Sequence, residues 1–271
     1  MSRKPLSLAV ASILMAAPAL ADVPRVAVDI APVHSLVARV MDGVGEPALI
    51  VPPGASPHSH SLRPSEAAAL QEADLVVWMG ADLTPWLESA IRTLAADAQV
   101  ISLLAAEGTE LLPFREGALF EAHEHEGHDD HDHGHDDHDH GHDDHDHGHD
   151  DHDHGHDDHD HGHDDHAHGH DDHAHGDHDP HAWLSPENAA LWLNGIASAL
   201  SAADPENAGA YFANAAAGRE ELAALSAEIE AMLAPVRGRG FIVFHDAYQY
   251  FEHDFGLSAA GAISLSDASE P

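Results

Sequence analysis

A chain of 271 residues has room for one to two domains, and its formal net charge of −39 makes cations its natural partners. Nucleic acid and anionic membrane surfaces are disfavoured as partners, because both select basic patches. Cysteine is absent, so the chain has no disulfide framework and no cysteine for lipid attachment.

The first 21 residues read as a secretory signal peptide. Arg3 and Lys4 precede a short apolar run, and Ala19-Leu20-Ala21 has the small-x-small pattern of a cleavage site. That run is too short to span a membrane, which predicts a soluble exported protein beginning at Asp22 and located in the periplasm. Residues 25–30 predict a strand, 32–40 a helix with Val33, Leu36, Val37 and Val40 on one face, and 47–51 a second strand. A loop rich in Pro, Ser and His over 52–62 leads to a short helix over 65–72. Residues 73–79 (ADLVVWM) form a continuous apolar run of the kind buried in parallel sheets. A helix over 85–95 and a strand over 99–103 complete a β-α-β-α-β-α-β alternation, the pattern of a parallel sheet with helices on both faces.

Residues 116–179 interrupt this lobe with polar sequence expected to be disordered. Within them, 127–175 repeat one heptapeptide seven times: five copies of GHDDHDH, then two of GHDDHAH. Each copy holds three histidines, so the repeats carry 21 of the chain's 30. A seven-residue period without an apolar a/d seam is not a coiled coil, and so little apolar surface cannot offset the entropy of ordering. Imidazoles and carboxylates at this density attract borderline divalent ions such as zinc, nickel, cobalt and copper. His128, His131, His133, His135, His138 and His140 exemplify the weak loop sites this implies; the alternative is a purely solubilising acidic tract.

Order resumes near Pro180. Ser185 reads as an N-cap with Pro186 at the first helical position, and that helix runs to about residue 200. From 204 to 235 an Ala- and Glu-rich stretch predicts a helix of roughly 30 residues, about 45 Å long and able to bridge two lobes. A strand over 241–244, a helix over 247–255 and a strand over 257–263 follow. The expected organisation is a signal peptide at 1–21 and an N-terminal α/β lobe at 22–203 carrying the insertion. A linking helix at 204–235 then leads to the start of a C-terminal α/β lobe at 236–271, truncated in this chain.

Three histidines outside the repeats sit at strand or loop ends, where ligands usually bind in α/β folds. His58 lies in Ser56-Pro57-His58-Ser59-His60, His181 in Asp179-Pro180-His181-Ala182-Trp183, and His245 directly after the apolar strand FIVF. Three imidazoles and one oxygen make a natural zinc set. His60 is either an accessory ligand or a pocket-edge residue. His34 is expected to be structural and His253 solvated. Asp246 would orient a ligand imidazole or cap the following helix.

The segments GASPHSHSLRPSEAAALQEADLVVWMG, DPHAWLSPENA and FHDAYQYFEHDFGL resemble the zinc-binding subunits (ZnuA type) of bacterial high-affinity zinc ABC importers, members of the metal-specific solute-binding proteins. The resemblance covers essentially residues 23–257 apart from the His-rich insertion. It implies two parallel-sheet lobes joined by a long backbone helix, with the metal between them and His58, His181 and His245 on the ligand positions. A His rather than a Glu at the third position favours zinc over manganese. Three departures bear on the site. Pro57 stands where some zinc members have a Glu, a second-lobe disulfide is ruled out, and the family's far second-lobe Asp has no counterpart here. The fourth ligand is left open between water, such an Asp and a loop group.

The leading expectation is a monomeric, non-enzymatic periplasmic protein that captures Zn2+ and delivers it to an ABC permease. A metal-storage or buffering protein acting through its repeats is the alternative. A zinc hydrolase is disfavoured, since no His-Glu-x-x-His pattern or nearby general-base Glu accompanies the histidines.

Overall fold

The computed structural model describes residues 23–115, 119–120 and 178–264. The expected signal peptide at 1–21 and the heptad repeats, His128 to His140 included, lie outside the described residues.

Four parallel strands form the first sheet: β1 (Val26–Val28), β2 (Ala48–Leu49), β3 (Leu75–Trp78) and β4 (Gln99–Ser102), in the order β2-β1-β3-β4. The crossovers are α1 (Ala31–Val40), α2 (Pro64–Glu72) and α3 (Pro85–Leu94). Each has a proline in its first turn, where a missing N–H leaves no helical bond unmade. On β3, Leu75 and Val77 join a core with Val33 and Val37 of α1 and with two later helices, α4 (Pro186–Ala203) and α5 (Ala208–Leu233). Val76 and Trp78 pack on the opposite face against Leu70 of α2 and Leu87 and Ile91 of α3. Both faces are covered, which is why the strand reads as an unbroken apolar run.

The strand order reverses between β1 and β3. Asp29 bridges the carboxyl ends of these strands: Oδ1 accepts the Ile30 N–H at 2.8 Å and Oδ2 the Met79 N–H at 2.7 Å. Burial pushes the Asp29 carboxyl up to about 7, against the pull of those backbone bonds.

Ser185 caps α4 by accepting the Asn188 N–H at 3.2 Å, as its sequence predicts. The long helix starts later than expected. The Asp204 carboxylate accepts from Asn207 Nδ2 at 2.7 Å and from the buried Tyr211 hydroxyl at 2.8 Å, holding a 3-10 turn over Pro205–Asn207 before α5 begins. The 26 residues of α5 span about 39 Å. Gly218 lets α5 approach its neighbours closely, since a Cβ there would meet the Leu193 side chain at 3.0 Å and that of Arg39 at 3.3 Å. Farther along, Leu225 and Met232 are exposed.

The second sheet pairs β5 (Ile242–His245) with β6 (Gly261–Ser264) in parallel, joined by α6 (Gln249–Phe255), which ends on left-handed Gly256. The strand expected from residue 257 begins only at Gly261. Glu252 holds the intervening turn: its carbonyl accepts the Leu257 N–H and its carboxylate the Ala259 N–H. A further correction concerns the edges of the 116–179 insertion. Phe120 N–H donates to the Ala260 carbonyl at 3.1 Å and Asp179 N–H to that of Leu112 at 2.8 Å, while Pro113 and His178 form an antiparallel bridge. Main-chain pairing gives these edge residues a defined place that their polar setting conceals.

Candidate metal centre

Three separate segments converge on one histidine. His58 comes from the loop after β2, and His245 is the last residue of β5. His181 immediately precedes a 3-10 turn, Ala182–Leu184, that leads into α4. The centre of the buried His181 ring lies 5.4 Å from that of His58 and 5.4 Å from that of His245.

The surroundings fix this cluster. Trp86 Nε1 donates to the Pro57 carbonyl at 2.8 Å, anchoring the residue before His58. Asp179 Oδ1 accepts the His181 backbone N–H at 3.0 Å and lies 2.6 Å from His181 Nδ1. A carboxylate so placed holds the proton on Nδ1 and leaves Nε2 with its lone pair for a cation. Asp179 Oδ2 is buried and has no hydrogen-bond partner among the described residues. Such a group favours positive charge nearby. Tyr250 donates its hydroxyl to the Asp179 carbonyl at 2.8 Å and accepts the Leu112 N–H at 2.9 Å. Burial pushes its phenol up to about 12, so the donor keeps its proton at neutral pH.

Two expected roles take a more definite form. His60, expected as an accessory ligand or a pocket-edge residue, has its Nε2 2.9 Å from Glu66 Oε2 and packs its ring edge-on against Trp86. Glu66 also accepts the Arg63 N–H at 2.8 Å. Burial works to raise the Glu66 pKa, but this N–H and His60 outweigh it and hold the carboxyl below its ordinary range. His60 is thus a brace for the loop carrying His58. Asp246 does not cap α6, whose N-cap position is Tyr248; it binds the Arg115 guanidinium, which also meets Glu252 at 2.9 Å. Arg115 lies 3.9 Å above the Phe120 ring, and its own pKa is raised: burial opposes its charge, but the two carboxylates outweigh that. His34 is structural as expected, with Nε2 3.0 Å from the Pro47 carbonyl, and His253 is more than half exposed on α6.

Asp179, Tyr250, Glu66 and Arg115 escaped sequence reasoning. An Asp two residues before a candidate ligand was a usable signal for Asp179. Nothing local marks Arg115, whose partners lie over 130 residues away.

The family described as zinc-uptake complex component A, periplasmic, matches residues 26–271. The chain belongs to this family. A zinc-uptake relative, the high-affinity zinc uptake system protein ZnuA of Paracoccus denitrificans, is 50% identical over 99% of this chain and 76% of its own length. The protein of that name in Brucella abortus is 48% identical over 91% of this chain and 69% of its own. Among solved structures, a zinc-bound ZnuA deletion mutant superposes with a TM-score of 0.63 at 23% identity, covering 92% of this chain and 73% of its own. The zinc-bound ZnuA-like domain of Streptococcus pneumoniae AdcA gives 0.59 at 21% identity, covering 92% and 70%. These two share the fold: a two-lobed α/β architecture with parallel sheets.

Proposed function

We propose that this chain captures Zn2+ in the periplasm as cargo and delivers it to the membrane permease of an ABC importer, acting as a monomer without catalysis. The tight site is His58, His181 and His245; the repeat histidines are weak sites that gather the ion. The carrying observation is the pair of 5.4 Å ring separations around His181. Imidazoles bound through about 2.0–2.1 Å Zn–N bonds at tetrahedral angles place their ring centres roughly 5 Å apart. The Asp179 contact to Nδ1 supplies the hydrogen bond a ligating imidazole needs on its other nitrogen. Water or another oxygen completes the fourth position. Membership in a zinc-uptake family supports the same reading. Release then follows when the permease separates the segments bearing the three histidines.

Zinc titration by calorimetry tests it. The chain should show one tight site plus many weak ones. His58→Ala, His181→Ala and His245→Ala should each weaken the tight site by orders of magnitude, whereas His253→Ala should leave it intact. Many similar sites and no tight one would favour the buffering role suggested by the repeats.

A further inference from the structure

A second group of metal-ligating side chains lies on the ordered body, apart from the three histidines. We infer that Glu110, His253 and Asp254 form an exchangeable site for a divalent cation. His253 Nδ1 lies 3.8 Å from Glu110 Oε2 and 3.6 Å from Asp254 Oδ1, and the three ligand atoms all lie within 4.8 Å of one another. Donors at about 2.1 Å on one ion at tetrahedral angles stand roughly 3.4 Å apart. Two separations are already near that value, and the third, between Glu110 and Asp254, is at most 4.8 Å.

Two of the ligands have fixed footings. The buried Asn188 of α4 clasps the Glu110 main chain, accepting its N–H at 2.9 Å and donating to its carbonyl at 3.1 Å. Asp254 is largely buried, with one oxygen taken by the Ser185 hydroxyl at 2.7 Å and the other facing His253. His253 is 56% exposed and Glu110 42%, which leaves positions for water and a route for exchange. One imidazole and two carboxylates form a harder set than three imidazoles, open to manganese(II) and cobalt(II) as well as zinc. The carboxylates also match the charge of a divalent ion. A bound cation would draw the segment after β4 onto α6 and so brace the element that follows His245. The site does not depend on the three-histidine reading.

The test uses the full chain with manganese(II) as probe. Paramagnetic broadening of assigned amide resonances separates this site from the repeats, residue by residue. The expected result is selective broadening at Glu110, Ser185, His253 and Asp254, reversed by zinc and lost in Glu110→Gln and in His253→Gln. Both substituted side chains are well exposed, so these variants keep the fold. Absence of selective broadening, or equal broadening in both variants, would overturn the site. So would a His253 ring that responds to acid and not to metal, the signature of a proton shared with the two carboxylates.

Discussion

Asp29 carries a conflict within a single residue. Two backbone N–H groups at the ends of β1 and β3 point at its oxygens, while complete burial opposes the charge they would stabilise. With the folded pKa lifted from 3.8 to about 7, the fold favours the protonated acid. Its stabilising contribution is full below the unfolded value and fades as pH rises through about 7. Asp29→Asn removes the titration and turns one amide donor toward a backbone donor. Urea unfolding of both proteins from pH 8 to 5 should therefore show wild type gaining stability relative to the variant as pH falls. A difference that stays flat across that range would mean the carboxylate remains ionised at the strand junction. At this scale the candidate ligands were legible because each histidine sits in a short motif at a loop or strand end. Their supports were not, because Asp179, Glu66 and Trp86 act through hydrogen bonds that no periodicity encodes.

Elements were legible wherever one physical signal dominated. The apolar run of β3 announced a strand covered on both faces, and Ser185-Pro186 announced the start of α4. The errors fall where a side chain competes with the backbone: Asp204 delays α5, and Glu252 delays β6. The same Glu252 belongs to the Arg115 network, which ties the segment after β4 to α6 and to the turn after β5. Both carboxylates there are largely buried. Removing the guanidinium strands them, and breaking a buried pair in this way costs roughly 3–5 kcal/mol. Arg115→Ala should therefore speed hydrogen exchange in β5, α6 and β6 while leaving β1 and β3 protected. Arg115→Lys should fall between, since it restores charge without the two-pronged geometry. Equal loss of protection in β1 would show that the two sheets unfold as one unit instead.

For the molecule as a whole, the proposed function divides cation handling between the three histidines and the repeat, and the described residues that flank the insertion bear on it. Pro113 and His178 form a β-bridge, and Leu112 and Asp179 are linked by a main-chain hydrogen bond. These flanking residues are paired with each other independently of the repeat, so replacing residues 127–175 by a linker should leave the sheet and the contact between Asp179 and His181 in place. None of His58, His181 and His245 lies in the deleted stretch, whereas 21 of the 30 histidines do. The deletion variant should bind far fewer zinc ions while keeping one tight site of unchanged affinity, measured by calorimetry against a competing chelator. It should also lose metal more slowly than wild type when the chelator is weak, because only the shallow sites exchange readily. If the tight site disappears with the repeat, a repeat histidine completes its coordination, and the division between gathering loop and capturing centre fails.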